Sequence, residues 1–253
     1  MVSGVRAVVF DTDGVLLATA ARHAAAWKDT FDGCLAGWRP QGAGEPPPPF
    51  DTAREYRDLV DGRSRLDGVR AFLTARHMAL PPGTPQDPPG CGTVYAVAAR
   101  KEAVFSRMVR TEGVEAFDDV RPVLRQLHAM SVGCAAVSAS QHARSLLRAA
   151  DLGRCFDALV DGRDLDALAL PGKPDPALFL EAAARLGTGP EHTAVVEDAL
   201  VGVEAGRRGR FALVVGLCRS DDPQTADALL AHGAHLVLTG LDALPAVLCG
   251  HRP

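Results

Sequence analysis

From residue 119 onward the chain alternates between two textures. Short apolar runs at 132–137, 156–160, 193–196, 211–215 and 234–238 are separated by stretches of helical spacing at 119–130, 141–150, 176–186, 199–208 and 223–231. Apolar runs of strand length are buried strands, and strands joined by helices lie parallel, so the pattern predicts an α/β fold whose parallel sheet carries helices on both faces. One more such run, residues 5–10, opens the chain and ends in Asp11-Thr12-Asp13-Gly14. No further strand follows it until after residue 119. Residues 20–112 therefore read as an all-helical insert, which gives two domains: residues 1–19 with 113–253, and residues 20–112.

The insert has helical spacing over 19–36, 51–60, 66–78 and 94–110. Two loops rich in proline interrupt it. One spans 39–50 and contains Pro46-Pro47-Pro48-Pro49; the other spans 81–92. Four prolines in a row exclude a helix or a central strand and predict an exposed loop.

At 253 residues the chain can bury a full core. Its net charge of −4 implies no broad basic face and no nucleic-acid partner. The cations of Arg207-Arg208-Gly209-Arg210 suit the end of a helix. Nothing at the start reads as a signal peptide, and no segment reads as a membrane span. Six cysteines are scattered without a CxxC pair, which predicts reduced thiols, no zinc and a cytoplasmic location.

Chemistry-bearing residues follow the strands, at whose carboxyl ends an open parallel sheet binds its ligands. In Asp11-Thr12-Asp13-Gly14 one carboxylate can act as nucleophile and the other as acid/base, and the same tetrapeptide also suits an Asx turn. Val15 occupies a ligand position and excludes an EF-hand loop. Ser138 can bond a phosphate oxygen, and Ser138-Ala139-Ser140 lacks the glycines of a nucleophile elbow. Pro174 keeps Lys173 at a loop-to-helix junction, where it can neutralise a phosphate; its surroundings are not those of a P-loop. Glu197-Asp198 ends an apolar run and can also cap the next helix. Asp11, Asp13, Glu197 and Asp198 at one sheet edge repel one another unless a cation joins them, and oxygen donors beside a phosphate suit Mg²⁺.

This ordered set resembles the haloacid dehalogenase superfamily, and within it the β-phosphoglucomutase-like group. The resemblance implies a Rossmann-like core and a helical cap that closes over the site. It implies an aspartyl phosphate on Asp11, acid/base action by Asp13, charge stabilisation by Ser138 and Lys173, and Mg²⁺ held by Asp11, the main chain at Asp13 and Asp198, with Glu197 assisting. His23, Trp27, Gly62, Arg65, Lys101 and Ser140 resemble the group's substrate-binding residues. Gln141-His142 stands where the group usually has Lys-Asn, and Ala18 replaces a common acidic residue. The implied activity is conversion of β-glucose 1-phosphate to glucose 6-phosphate by a monomer acting on a small phosphosugar. If water replaces the sugar hydroxyl as second nucleophile, the same apparatus is a phosphatase. A dehalogenase needs neither Asp13 nor a metal, and a non-catalytic sugar-phosphate-binding protein is expected to lose Asp11 or Asp13.

Overall fold

The computed structural model describes residues 4–38, 47–220 and 222–250. The chain divides into two units, Met1–Ala18 with Val114–Pro253, and Thr19–Gly113. Strand β1 (Ala7–Asp11) opens the first unit, and all five of its residues are buried. Successive strand side chains point to opposite faces, so complete burial means that both faces of the sheet are covered.

The second unit is helical. Helix α1 (Ala20–Leu35) buries Ala26, Trp27, Thr30, Phe31, Cys34 and Leu35, the stripe expected of one helix face. A π-helical turn, Tyr56–Val60, follows where the sequence predicts an ordinary helix over 51–60. The Ser64 side chain accepts from the Asp67 amide and starts α2 (Arg65–Ala75); Thr93 does the same for α3 (Val94–Glu112) through Ala96. Gly113, at φ 75°, ends α3. Phe31 and Phe72 stack at 3.8 Å, and Phe50 tilts against Phe31 at 5.1 Å.

Two features of this unit depart from expectation. Phe50, predicted within an exposed loop, is 2% exposed, because a single aromatic ring gains more by packing on Phe31 and Phe72 than its proline neighbours gain by burial. Residues 39–46 of that loop lie outside the described residues. The second departure is that Cys34 and Cys91 form a disulfide, where the sequence predicts reduced thiols. They are separated by 57 residues in sequence, yet the last turn of α1 meets the loop before α3 and brings their Cα atoms to 5.3 Å.

Back in the first unit the chain runs through α4 (Val120–Ala129), β2 (Gly133–Val137), α5 (Ala143–Ala149), β3 (Ala158–Val160), α6 (Gly162–Ala167), α7 (Ala177–Arg185), β4 (Thr193–Glu197), α8 (Leu200–Arg208), β5 (Leu213–Leu217), α9 (Pro223–Ala231), β6 (Leu236–Leu238) and α10 (Leu244–Leu248). The six strands are parallel and lie in the order β3-β2-β1-β4-β5-β6. Ala7 pairs with Gly133 on one side and Thr193 on the other, so β1, β2 and β4 end almost level. The direction of strand addition reverses between β1 and β4, and a doubly wound sheet opens its binding crevice at such a point. No helix among the described residues is long and apolar enough to cross a membrane.

Candidate active site

Asp11 is the last residue of β1 and Glu197 the last of β4, so adjacent strands deliver both carboxylates to the same edge of the sheet. Lys173 lies between them. Its Nζ donates to Asp11 Oδ1 and to Glu197 Oε1, each at 2.5 Å, and its side chain is fully buried. The lysine precedes α7, where Asp175 accepts from the Ala177 amide and fixes the junction. Glu197 was expected among the metal ligands. Its second oxygen accepts from the Ala199 amide at 2.7 Å, so Glu197 also holds the lysine in place.

The loop after β1 turns tightly. The Thr12 carbonyl accepts from the Leu16 and Leu17 amides, while Gly14 N donates to Leu17 O. Gly14 adopts φ +79°, and a Cβ there would fall 1.8 Å from Asp198 Oδ2, so only glycine allows that carboxylate beside the loop. The Asp13 amide donates to Asp11 Oδ2 at 3.0 Å. Ser138, just past β2, donates from Oγ to Asp13 Oδ2 at 3.2 Å and accepts from the Ser140 amide at 3.0 Å. Ser140 Oγ accepts from the His142 amide, and Gln141 donates to Asp166 at 2.6 Å.

Charge is unbalanced here. Asp11 and Glu197 share one ammonium, and Asp13 adds a further negative charge beside Asp11. Burial, reinforced by Glu197 and Asp13 and only partly countered by Lys173, raises the Asp11 pKa from 3.8 to about 8. Burial alone would lower Lys173, but Asp11 and Glu197 outweigh it and raise its pKa, so the ammonium stays charged. Among the described residues no three His, Cys, Asp or Glu side chains already converge as metal donors. Asp11, Asp198 and the main-chain oxygen of Asp13 offer hard oxygen atoms beside an excess of negative charge, the chemistry that suits Mg²⁺.

The helical unit gathers a second set. Lys101 is 3% exposed; its Nζ lies 2.7 Å from His23 Nδ1, 4.6 Å from the Phe105 ring centre and 5.4 Å from that of Trp27. His23 stacks on Phe105 at 4.0 Å. Gly62 adopts φ 70° in the turn before α2, and Arg65 pairs with Glu102, which also accepts from Ser106.

Three supports escaped the sequence reading. Thr12 Oγ1 donates to Val137 O at 2.7 Å and ties the acidic loop to β2. Gly202 leaves room for Glu197, since a Cβ would fall 1.7 Å from Oε1; the run of small residues in α8 was its signal. Arg219 donates to the carbonyls of Gly14 and Val15, and nothing in the sequence around it marks that reach.

Comparison with known proteins agrees with this architecture. Residues 5–210 match the family model described as haloacid dehalogenase-like hydrolase. A Mycobacterium bovis protein named β-phosphoglucomutase is 44% identical over 240 residues, 95% of this chain and 91% of its own. The structure of a haloacid dehalogenase family hydrolase from Deinococcus radiodurans, with bound phosphate and sodium, is 29% identical, covers 99% of both chains and superposes with a TM-score of 0.66. A β-phosphoglucomutase structure from Clostridium difficile shares the fold at 20% identity, covering 95% of this chain and 93% of its own, with a TM-score of 0.70. A match across most of the chain and a relative this close along nearly its whole length leave one assignment: the chain belongs to the haloacid dehalogenase-like hydrolase family.

Proposed function

We propose that this enzyme transfers a phosphoryl group through an aspartyl phosphate on Asp11, and that its reaction is the isomerisation of β-glucose 1-phosphate to glucose 6-phosphate. The observation that carries the reading is the placement of Asp11 at the end of β1 with Lys173 on one oxygen and the Asp13 amide on the other. Those contacts hold a carboxylate at the sheet edge with a fixed cation beside it, an arrangement that suits in-line attack on phosphorus.

Asp11 attacks phosphorus and forms a P–O bond as the bond to the leaving oxygen breaks. Asp13 gives its proton to that oxygen and later takes one from the incoming nucleophile. Ser138, bonded to Asp13, orients it, and with Lys173 stabilises the charge spread over the equatorial phosphoryl oxygens. Asp11, the Asp13 carbonyl and Asp198, with Glu197 assisting, would hold Mg²⁺, which would supply further neutralisation of that charge. His23, Trp27, Gly62, Arg65, Lys101 and Ser140 are the substrate-binding residues that the family resemblance implies.

The 44% identical relative supports the mutase by its name. One observation favours a phosphatase of a small phosphosugar instead: Gln141 spends its amide on Asp166 where the group usually has a lysine, leaving one cation fewer for a second phosphate. Purified protein given Mg²⁺, β-glucose 1-phosphate and a trace of the bisphosphate decides between them. Glucose 6-phosphate supports the mutase; free phosphate without isomer contradicts it.

A further inference from the structure

Arg219 follows β5 and is used by none of the steps above, yet every nitrogen of its guanidinium is engaged. Nε donates to Gly14 O at 3.2 Å and Nη2 to Val15 O at 2.8 Å. Nη1 and Nη2 hold Asp119 in a two-pronged pair at 2.9 and 3.0 Å. The guanidinium also lies 3.7 Å from the centre of the Phe117 ring. Asp119 in turn accepts from the Leu241 amide at 2.8 Å. The segments so joined are the two that precede and follow the helical unit in sequence, and they already pair through Phe117 N to Leu16 O and Ala18 N to Glu115 O. A planar fork satisfies two carbonyls and a carboxylate together, which an ammonium cannot do.

We infer that Arg219, held by Asp119, is a positioning residue for the phosphoryl-transfer site: it fixes the Asp11–Gly14 loop from behind and sets where Asp11 and Asp13 stand. Gly14, whose carbonyl it holds, is the residue that Asp198 lies against, so the clamp also sets the spacing of Asp198 from Asp11. The inference rests on the phosphotransfer reading for its kinetic arm and on the structure alone for its second arm.

The test uses Arg219→Lys, which keeps the charge and loses the fork, and Asp119→Asn, which keeps the shape and loses the charge. Displacing catalytic groups by about an ångström costs on the order of 100-fold in rate. Each variant is therefore expected to lower kcat about 10- to 100-fold, with KM for the sugar phosphate within about twofold. The double variant should be no worse than the worse single one, because both break one unit. Without substrate, hydrogen exchange should quicken in peptides covering 12–18 and 114–119 and stay unchanged at 193–197. Wild-type kcat in a folded variant overturns the inference, as does exchange that rises everywhere or nowhere. If one variant does not fold, the other carries both readouts. Wild-type protein that turns over no phosphoester would refute the chemistry assigned to Asp11, and the exchange result would still judge the clamp.

Discussion

At the scale of single residues, the site is a problem of buried charge solved by one lysine. Lys173 is completely buried between two carboxylates, and removing one member of such a group leaves the others uncompensated. Lys173→Ala is expected to cost about 3–5 kcal/mol of unfolding free energy and to abolish turnover, measured by urea denaturation and by the mutase assay. Gly202→Ala pushes a methyl into Glu197 Oε1 and should lower stability by about 1–3 kcal/mol and activity at least tenfold; wild-type values for both would refute the anchoring role of Glu197. The positions of Asp11, Ser138 and Glu197 were legible in the sequence because each follows an apolar run, and that of Lys173 because Pro174 after it bars a helix there. Arg219 was not. It and Asp119 are 100 residues apart, and an arginine in Cys218-Arg219-Ser220 reads as a solvated loop until β5 is placed two strands from β1.

Strands were legible by their apolar runs and helices by their length. Strands β1, β4 and β5 are five residues each and fully buried, so their apolar runs are unmistakable. Helix α6 has six residues and too little periodicity to show. It is held by its polar start: Asp161 accepts from the Arg163 amide, and Asp164 Oδ2 accepts from the Asp161 amide at 2.9 Å, a reciprocal cap. Arg144 and Arg185 also donate to Asp164. Burial alone would raise the Asp164 pKa; the Asp161 amide and the two guanidinium groups outweigh it and hold it at about 2, below the usual 3.8. A depressed folded pKa means that the stabilisation is complete above about pH 4 and is lost as pH falls toward 2. Asp164→Asn should therefore cost about 1–3 kcal/mol at pH 7, and its unfolding midpoint should converge with wild type between about pH 4 and pH 2. A difference independent of pH would contradict this account.

At the scale of the whole molecule, an α/β core with a helical insertion follows from where strands occur along the chain. What remained hidden was long-range and covalent. The Cys34–Cys91 bond closes a loop of 57 residues within the helical unit, and a cross-link of that span stabilises by about 2–4 kcal/mol. Four cysteines, Cys134, Cys155, Cys218 and Cys249, are free. Thiol titration in denaturant should count four groups without reductant and six with it, and six in both would show that the pair is reduced in the isolated protein. The central claim is covalent: Asp11 accepts phosphorus. Its most direct test is mass spectrometry of protein quenched in acid during turnover with Mg²⁺ and β-glucose 1-phosphate plus its bisphosphate. The account predicts a phosphoryl adduct on the peptide bearing Asp11, absent in Asp11→Asn; an adduct on another residue, or an Asp11→Asn protein that still turns over, would contradict it.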